Sequence, residues 1–138
     1  MDHYNSRESI MKRTALMVAL AIFLMLPTFV GAAVTEKDFV ADTTQNFLNL
    51  CTASVDDPLY HQAVNFCHGY LVGAFQYYAA AAAGPDGVKL VCLPEPPPTR
   101  NQAIAMFVEW AKAHPQFMQE KPVDTEFRFL METWPCAK

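Results

Sequence analysis

Cys51, Cys67, Cys92 and Cys136, together with His61, His68 and His114, are the residues of this chain best equipped for chemistry. A thiolate beside an imidazole can serve as nucleophile and base, and the same groups can hold a soft metal ion. Their spacing argues against both uses. Cys67 and His68 are adjacent, and neighbours on a helix point about 100° apart. His61 lies off the face of Cys67 as well. The chain has no C-x-x-C pair, no zinc-binding helix motif, no serine elbow and no phosphate loop. Asp56 and Asp57 are neighbouring acids at a turn, where helix capping accounts for at least one of them. Trp110 and Trp134 fall at helical spacings suited to a core. The expectation is a non-enzymatic protein with no catalytic residue, no metal and no cofactor.

Four cysteines in an exported chain read instead as two disulfides. Export is signalled by Met11-Lys12-Arg13, an apolar run from Ala15 to Leu26, and the small residues Val30-Gly31-Ala32-Ala33. Residues 1–33 are therefore taken as a prefix and signal peptide, with Met11 the more ordinary start and cleavage after Ala32 or Ala33. The apolar run is shorter than the roughly 20 residues of a membrane span, and no cysteine stands at the cleavage site to take a lipid. Residues 34–138 then form one domain in an oxidising compartment, with no membrane attachment after cleavage. Three cysteine pairings are possible, and spacing does not choose among them. An up-and-down helix arrangement leans toward Cys51–Cys67 at one end and Cys92–Cys136 at the other.

The full chain carries a net charge of −4, and the part from Val34 onward holds 12 acidic against 7 basic residues. Nucleic acid calls for a basic patch, so it is not an expected partner. An acidic surface does suit a basic protein partner.

The elements that hold the cysteines are helical. Pro58 to Ala83 is the longest helix-like stretch, with Asp57 placed to cap it and Gly84-Pro85-Asp86-Gly87 to stop it. Ala63, Phe66, Cys67, Tyr70, Leu71, Ala74, Phe75 and Tyr78 recur on one face, while His61, Asn65, His68 and Gln76 fall on the other. Gly69 and Gly73, four apart, suggest close approach by another helix. Before this post, Thr35 caps a helix whose face is Phe39, Val40, Thr43, Phe47, Leu48 and Leu50. After it, Thr99 and Gln102 form a capping box ahead of Ile104, Phe107, Val108 and Ala111, and His114-Pro115 ends that helix. A last helix begins near Pro122, with Val123, Phe127, Leu130, Met131 and Trp134 as its apolar face. The fold class expected is all-α: a small disulfide-stapled bundle of about four helices. Gly84 to Pro98 is the longest irregular stretch. It is pinned in its middle by Cys92 and stiffened by Pro94 and Pro96 to Pro98, with Asp86, Lys89 and Glu95 as candidate partner-binding residues.

Landmarks follow in the order Phe47-Leu48-x-x-Cys51, Cys67-His68-Gly69-Tyr70-Leu71-Val72-Gly73, Cys92-Leu93-Pro94, Gln102, His114-Pro115 and Trp134-Pro135-Cys136. As a set they resemble the Rap/Tai family of type VI secretion immunity proteins. The triple proline Pro96 to Pro98 departs from the pattern. The resemblance implies a small helical protein of the Gram-negative periplasm that binds a peptidoglycan-cutting amidase effector and blocks its cleft. It carries over no inhibitory residue, because the shared landmarks are structural. A homodimer is compatible with it. The competing class is a periplasmic stress or chaperone-like helical protein with no dedicated effector.

Overall fold

The computed structural model describes residues 33–136; the expected signal segment lies outside the described residues. Four α-helices follow in order: α1 (Thr44–Cys51), α2 (Tyr60–Ala82), α3 (Arg100–Ala113) and α4 (Pro122–Thr133). Two short 3-10 turns, Glu36–Val40 and Pro115–Phe117, precede α1 and α4. Among the described residues no strand forms; Val91 and Pro135 make one isolated antiparallel bridge. The domain is an all-α bundle stapled by two disulfides, Cys51–Cys67 and Cys92–Cys136, with Cα atoms 5.2 and 4.9 Å apart. The first clips α1 to α2, and the second ties the long loop to the end of α4. With sequence separations of 16 and 44 between the paired cysteines, loop-closure entropy assigns about 3 and about 4 kcal/mol to the two bridges.

The core is built where all four helices meet. Phe47 and Leu50 of α1, Cys67 of α2, Phe107 of α3 and Phe129 of α4 are almost wholly buried. Phe47 packs against Tyr70 at 4.7 Å between ring centroids, and Phe107 meets Phe129 edge-on at 5.9 Å. The start of α1 docks on the segment before α4. The Thr44 and Gln45 amides donate to the carbonyls of Glu120 and Met118, at 2.8 and 3.0 Å. These bonds supply partners for N–H groups that a helix start leaves free. Thr44 and Thr125 share a buried hydroxyl–hydroxyl bond of 2.7 Å.

Four expectations are corrected here. The helix starting at Thr35 is interrupted: Glu36–Val40 is a 3-10 turn, Ala41 takes the left-handed conformation at φ 51°, and Thr43 caps α1 afresh through the Asn46 amide. The break turns Val40 out to solvent and buries Asp38, whose carboxylate accepts from the Thr35 amide and hydroxyl, Asn46 and Asn49. The long helix begins at Tyr60, two residues later than its proline suggested. Asp57 instead holds the turn before it, accepting from the Leu59 amide and, across the chain, from the Val34 amide, each at 2.8 Å.

The glycine expectation fails as well. A Cβ placed on Gly69 or Gly73 would meet nothing within 4 Å, so no helix crosses there and both glycines face open space. The face of α4 is also rotated. Pro122, Thr125, Glu126, Phe129 and Leu130 are the buried residues, while Val123 and Met131 are exposed. Thr125 is drawn inward by Thr44, and Phe129 by Phe107 and by Trp134, whose ring lies 5.6 Å away. Elsewhere the signals act locally as read: Thr99 and Gln102 cap α3 reciprocally, and His114 ends it.

Candidate functional site

The C-terminal half of α2 and the loop after it form the most exposed part of the domain. Gly87 folds back so tightly that a Cβ there would lie 2.6 Å from the Ala81 carbonyl oxygen and closer still to Ala82. Only glycine fits that approach. The loop is then fastened at its waist. The Tyr78 hydroxyl accepts from the amides of Leu90 and Val91, at 2.6 and 2.9 Å. The Cys92 amide donates to the Trp134 carbonyl at 2.9 Å, and the Cys92–Cys136 bridge adds a covalent tie. Val91 is buried, whereas the chain on either side of residues 91 and 92 is exposed. The second arm contains a cis Glu95–Pro96 bond. A rigid waist thus presents two exposed arms, 84–90 and 93–97.

Asp86, Lys89 and Glu95 all lie exposed on these arms. None of the three takes part in an ion pair among the described residues. Lys89 borders a shallow groove with Val91, Leu93 and the last turns of α2. The apolar side chains of the same loop are the feature that charge-based reading overlooked. Val88 is 68% exposed, Leu90 44% and Leu93 39%. Exposed apolar side chains on a fastened scaffold are the groups that contribute most when a partner covers them. The alternation Val88-x-Leu90-x-x-Leu93 in VKLVCL was the available signal.

Leu93 and Pro98 also form one rim of a cleft of about 310 Å³ enclosed by α2, α3 and α4. Leu71 and Phe75 come from α2, Ile104 and Phe107 from α3, and Phe129 from α4. Its wall also includes Glu126, only 3% exposed, whose Oε2 is buried with no hydrogen-bond partner among the described residues. Burial pushes this carboxyl up to about 8. It is neutral at pH 7 and becomes a charge only if a partner arrives or the solution turns alkaline. Burial, and after it the nearby Glu126 carboxyl, raises the Tyr70 phenol above its ordinary range. Neither residue stood out in the sequence, although Glu126 lies three before Phe129 and four after Pro122, in register with the buried face.

Among the described residues no cluster of histidine, cysteine and acidic side chains could hold a metal ion, and both cysteine pairs are closed. No described helix is long and apolar enough to cross a membrane.

Residues 43–136 match the family described as Rap1a immunity proteins. The chain belongs to that family. Its matched span begins at the cap of α1 and ends at the last cysteine, so it takes in all four helices, both disulfides and the fastened loop. No curated protein and no solved structure matches the chain. Immunity proteins act by binding a cognate effector, and they are generally not enzymes. Closed disulfides agree with a secreted or periplasmic setting.

Proposed function

We propose that this protein is a periplasmic immunity protein of a type VI secretion system. It binds a peptidoglycan-amidase effector and blocks the effector's cleft, protecting the cell from self-intoxication. In this reading residues 1–33 are the export signal and residues 34–138 the working domain. The loop 84–98 is the inhibitory element, with Asp86, Lys89 and Glu95 making polar contacts around Val88, Leu90 and Leu93. The observation that carries the proposal is the match to the immunity family over a span whose most exposed feature is a rigidly tethered, apolar-tipped loop. A tethered loop has little conformational entropy left to lose on docking, which suits an inhibitor that must occupy a narrow cleft tightly.

Replacing residues 86–90 by a Gly/Ser linker tests it. The helical circular dichroism should persist, because no helix of the bundle is touched. Affinity for the cognate amidase should fall by more than tenfold, about 1.4 kcal/mol. Undiminished binding and protection would place the interface on the helices and leave the loop a connection. Equal binding to unrelated unfolded proteins would favour the chaperone-like alternative, which the exposed Tyr77, Val88 and Leu90 would also serve.

A further inference from the structure

Glu126 is out of keeping with its surroundings. It lines the cleft together with Leu71, Phe75, Ile104 and Phe129, yet its Oε2 has no hydrogen-bond partner among the described residues. An unpaired buried acceptor costs about 1–3 kcal/mol. A leucine or methionine would fill the same space without that cost, so packing does not call for a carboxyl here. The cleft is open to solvent along the rim formed by Leu93, Pro98 and Arg100. Its volume of about 310 Å³ reaches the lower end of the range typical of small-ligand pockets, roughly 300–1,000 Å³.

We propose that this cleft is a binding site for an amphiphilic amine. The apolar body packs between Phe75, Ile104 and Trp134, and the protonated amine hydrogen-bonds to the Glu126 carboxylate. The ion pair that can form selects the head group: Glu126 is the one acidic side chain of the lining, and only a cation gains by ionising it. An alcohol would form only a neutral hydrogen bond, and a carboxylate would be repelled once Glu126 ionised. Arg100, from α3, is exposed at the rim, where water screens its charge. The Tyr70 phenol from α2 lies close enough to feel the Glu126 charge, and it is not a cation that could already neutralise it.

Burial keeps the Glu126 proton on up to about pH 8, so the arriving ammonium displaces it at neutral pH. The acid and the ammonium become an ion pair, and one proton passes to the buffer. Binding at pH 7 should therefore release close to one proton per amine. The cleft shares Leu93 and Pro98 with the loop, but binding of the amine is read without any effector, so its failure is distinguishable from failure of the loop's role.

The test is calorimetric titration of the oxidised full chain with n-octylamine at pH 7, in two buffers of different ionisation enthalpy. Saturable one-to-one binding with proton release is expected, at least about tenfold tighter than n-octanol or n-octanoate. Glu126→Gln should abolish the proton release and bring amine and alcohol to equal affinity. Ala103→Phe, which projects a ring into the cleft from α3, should block the amine with the helical circular dichroism unchanged, so the outcome does not hang on one variant. Equal affinity of amine and alcohol for the parent protein, absence of proton release, or failure of n-octylamine to saturate would each overturn the proposal.

Discussion

Asp38 and Glu126 each expose only 3% of their surface, yet Glu126 lies the deeper of the two and their carboxyls respond in opposite ways. Burial alone would raise both. At Asp38 it is outweighed by hydrogen bonds from Asn49, from the Thr35 amide and hydroxyl and from Asn46, so the group ends below the ordinary carboxylate range. At Glu126 burial acts unopposed and the group rises to about 8. Donors outweigh burial at the shallower Asp38, and with none to oppose it burial prevails at the deeper Glu126. The two sites divide the domain accordingly. Asp38 locks the N-terminal turn onto α1 as a finished structural joint. Glu126 sits at the wall of an open cleft with an acceptor unused.

The largest expected effect that tests this contrast is on stability against pH. Between the ordinary value of 4.5 and about 8, the unfolded chain releases a proton that folded Glu126 retains. Stability therefore falls as pH rises through that window, by up to about 1.4 kcal/mol per unit, and levels off above it. Urea denaturation across the window should show the slope in the parent and its loss in Glu126→Leu. A slope that survives the substitution would assign it to another group. Asp38 has the reverse sign: its contribution is present above the ordinary value of 3.8 and is lost as pH falls through its lowered folded value. The parent should be most stable near the acidic edge of the Glu126 window.

Asp38→Ala comes next, with an expected loss of about 3 kcal/mol, since it strands donors from Thr35, Asn46 and Asn49. Glu126→Leu at neutral pH should instead hold or raise the denaturation midpoint, and a loss comparable to that of Asp38→Ala would erase the distinction between the two sites. Thr125→Val, which removes the hydroxyl partner of Thr44 beside Glu126 on α4, should cost about 1–2 kcal/mol. The smallest effect is a gain. Gly73→Ala, adjacent to the cleft residue Val72, should stabilise by roughly 0.5–1 kcal/mol, because the added Cβ meets nothing. A loss there on thermal melting would mean that a partner or second chain occupies that face.

Local signals were legible wherever a few neighbouring residues settle the outcome. Thr99 with Gln102 opens α3, His114-Pro115 closes it, and Pro122 starts α4, because capping and proline geometry act within one turn. The first helix was misread because Thr35 and Thr43 are both competent caps. The bonds from Asn46 and Asn49 to Asp38 across the break, and from the Thr44 and Gln45 amides to the segment before α4, favour the second. The face of α4 was misread because Thr125 and Glu126 are polar residues in apolar positions, and periodicity counts them as surface.

The sequence by itself determined the helical class, the number of helices, the four-cysteine framework and the immunity family, all of which follow from short-range chemistry and the order of landmarks. Tertiary structure decided the rest. It set which face of α4 turns inward, left Gly69 and Gly73 unpacked, and fastened the loop at Tyr78 and Trp134 so that Val88 and Leu90 project. It also gave one buried carboxyl four donors while its counterpart's Oε2 received none. The physical reason is that burial and hydrogen-bond satisfaction are properties of residues far apart in the chain, brought together only when the helices pack.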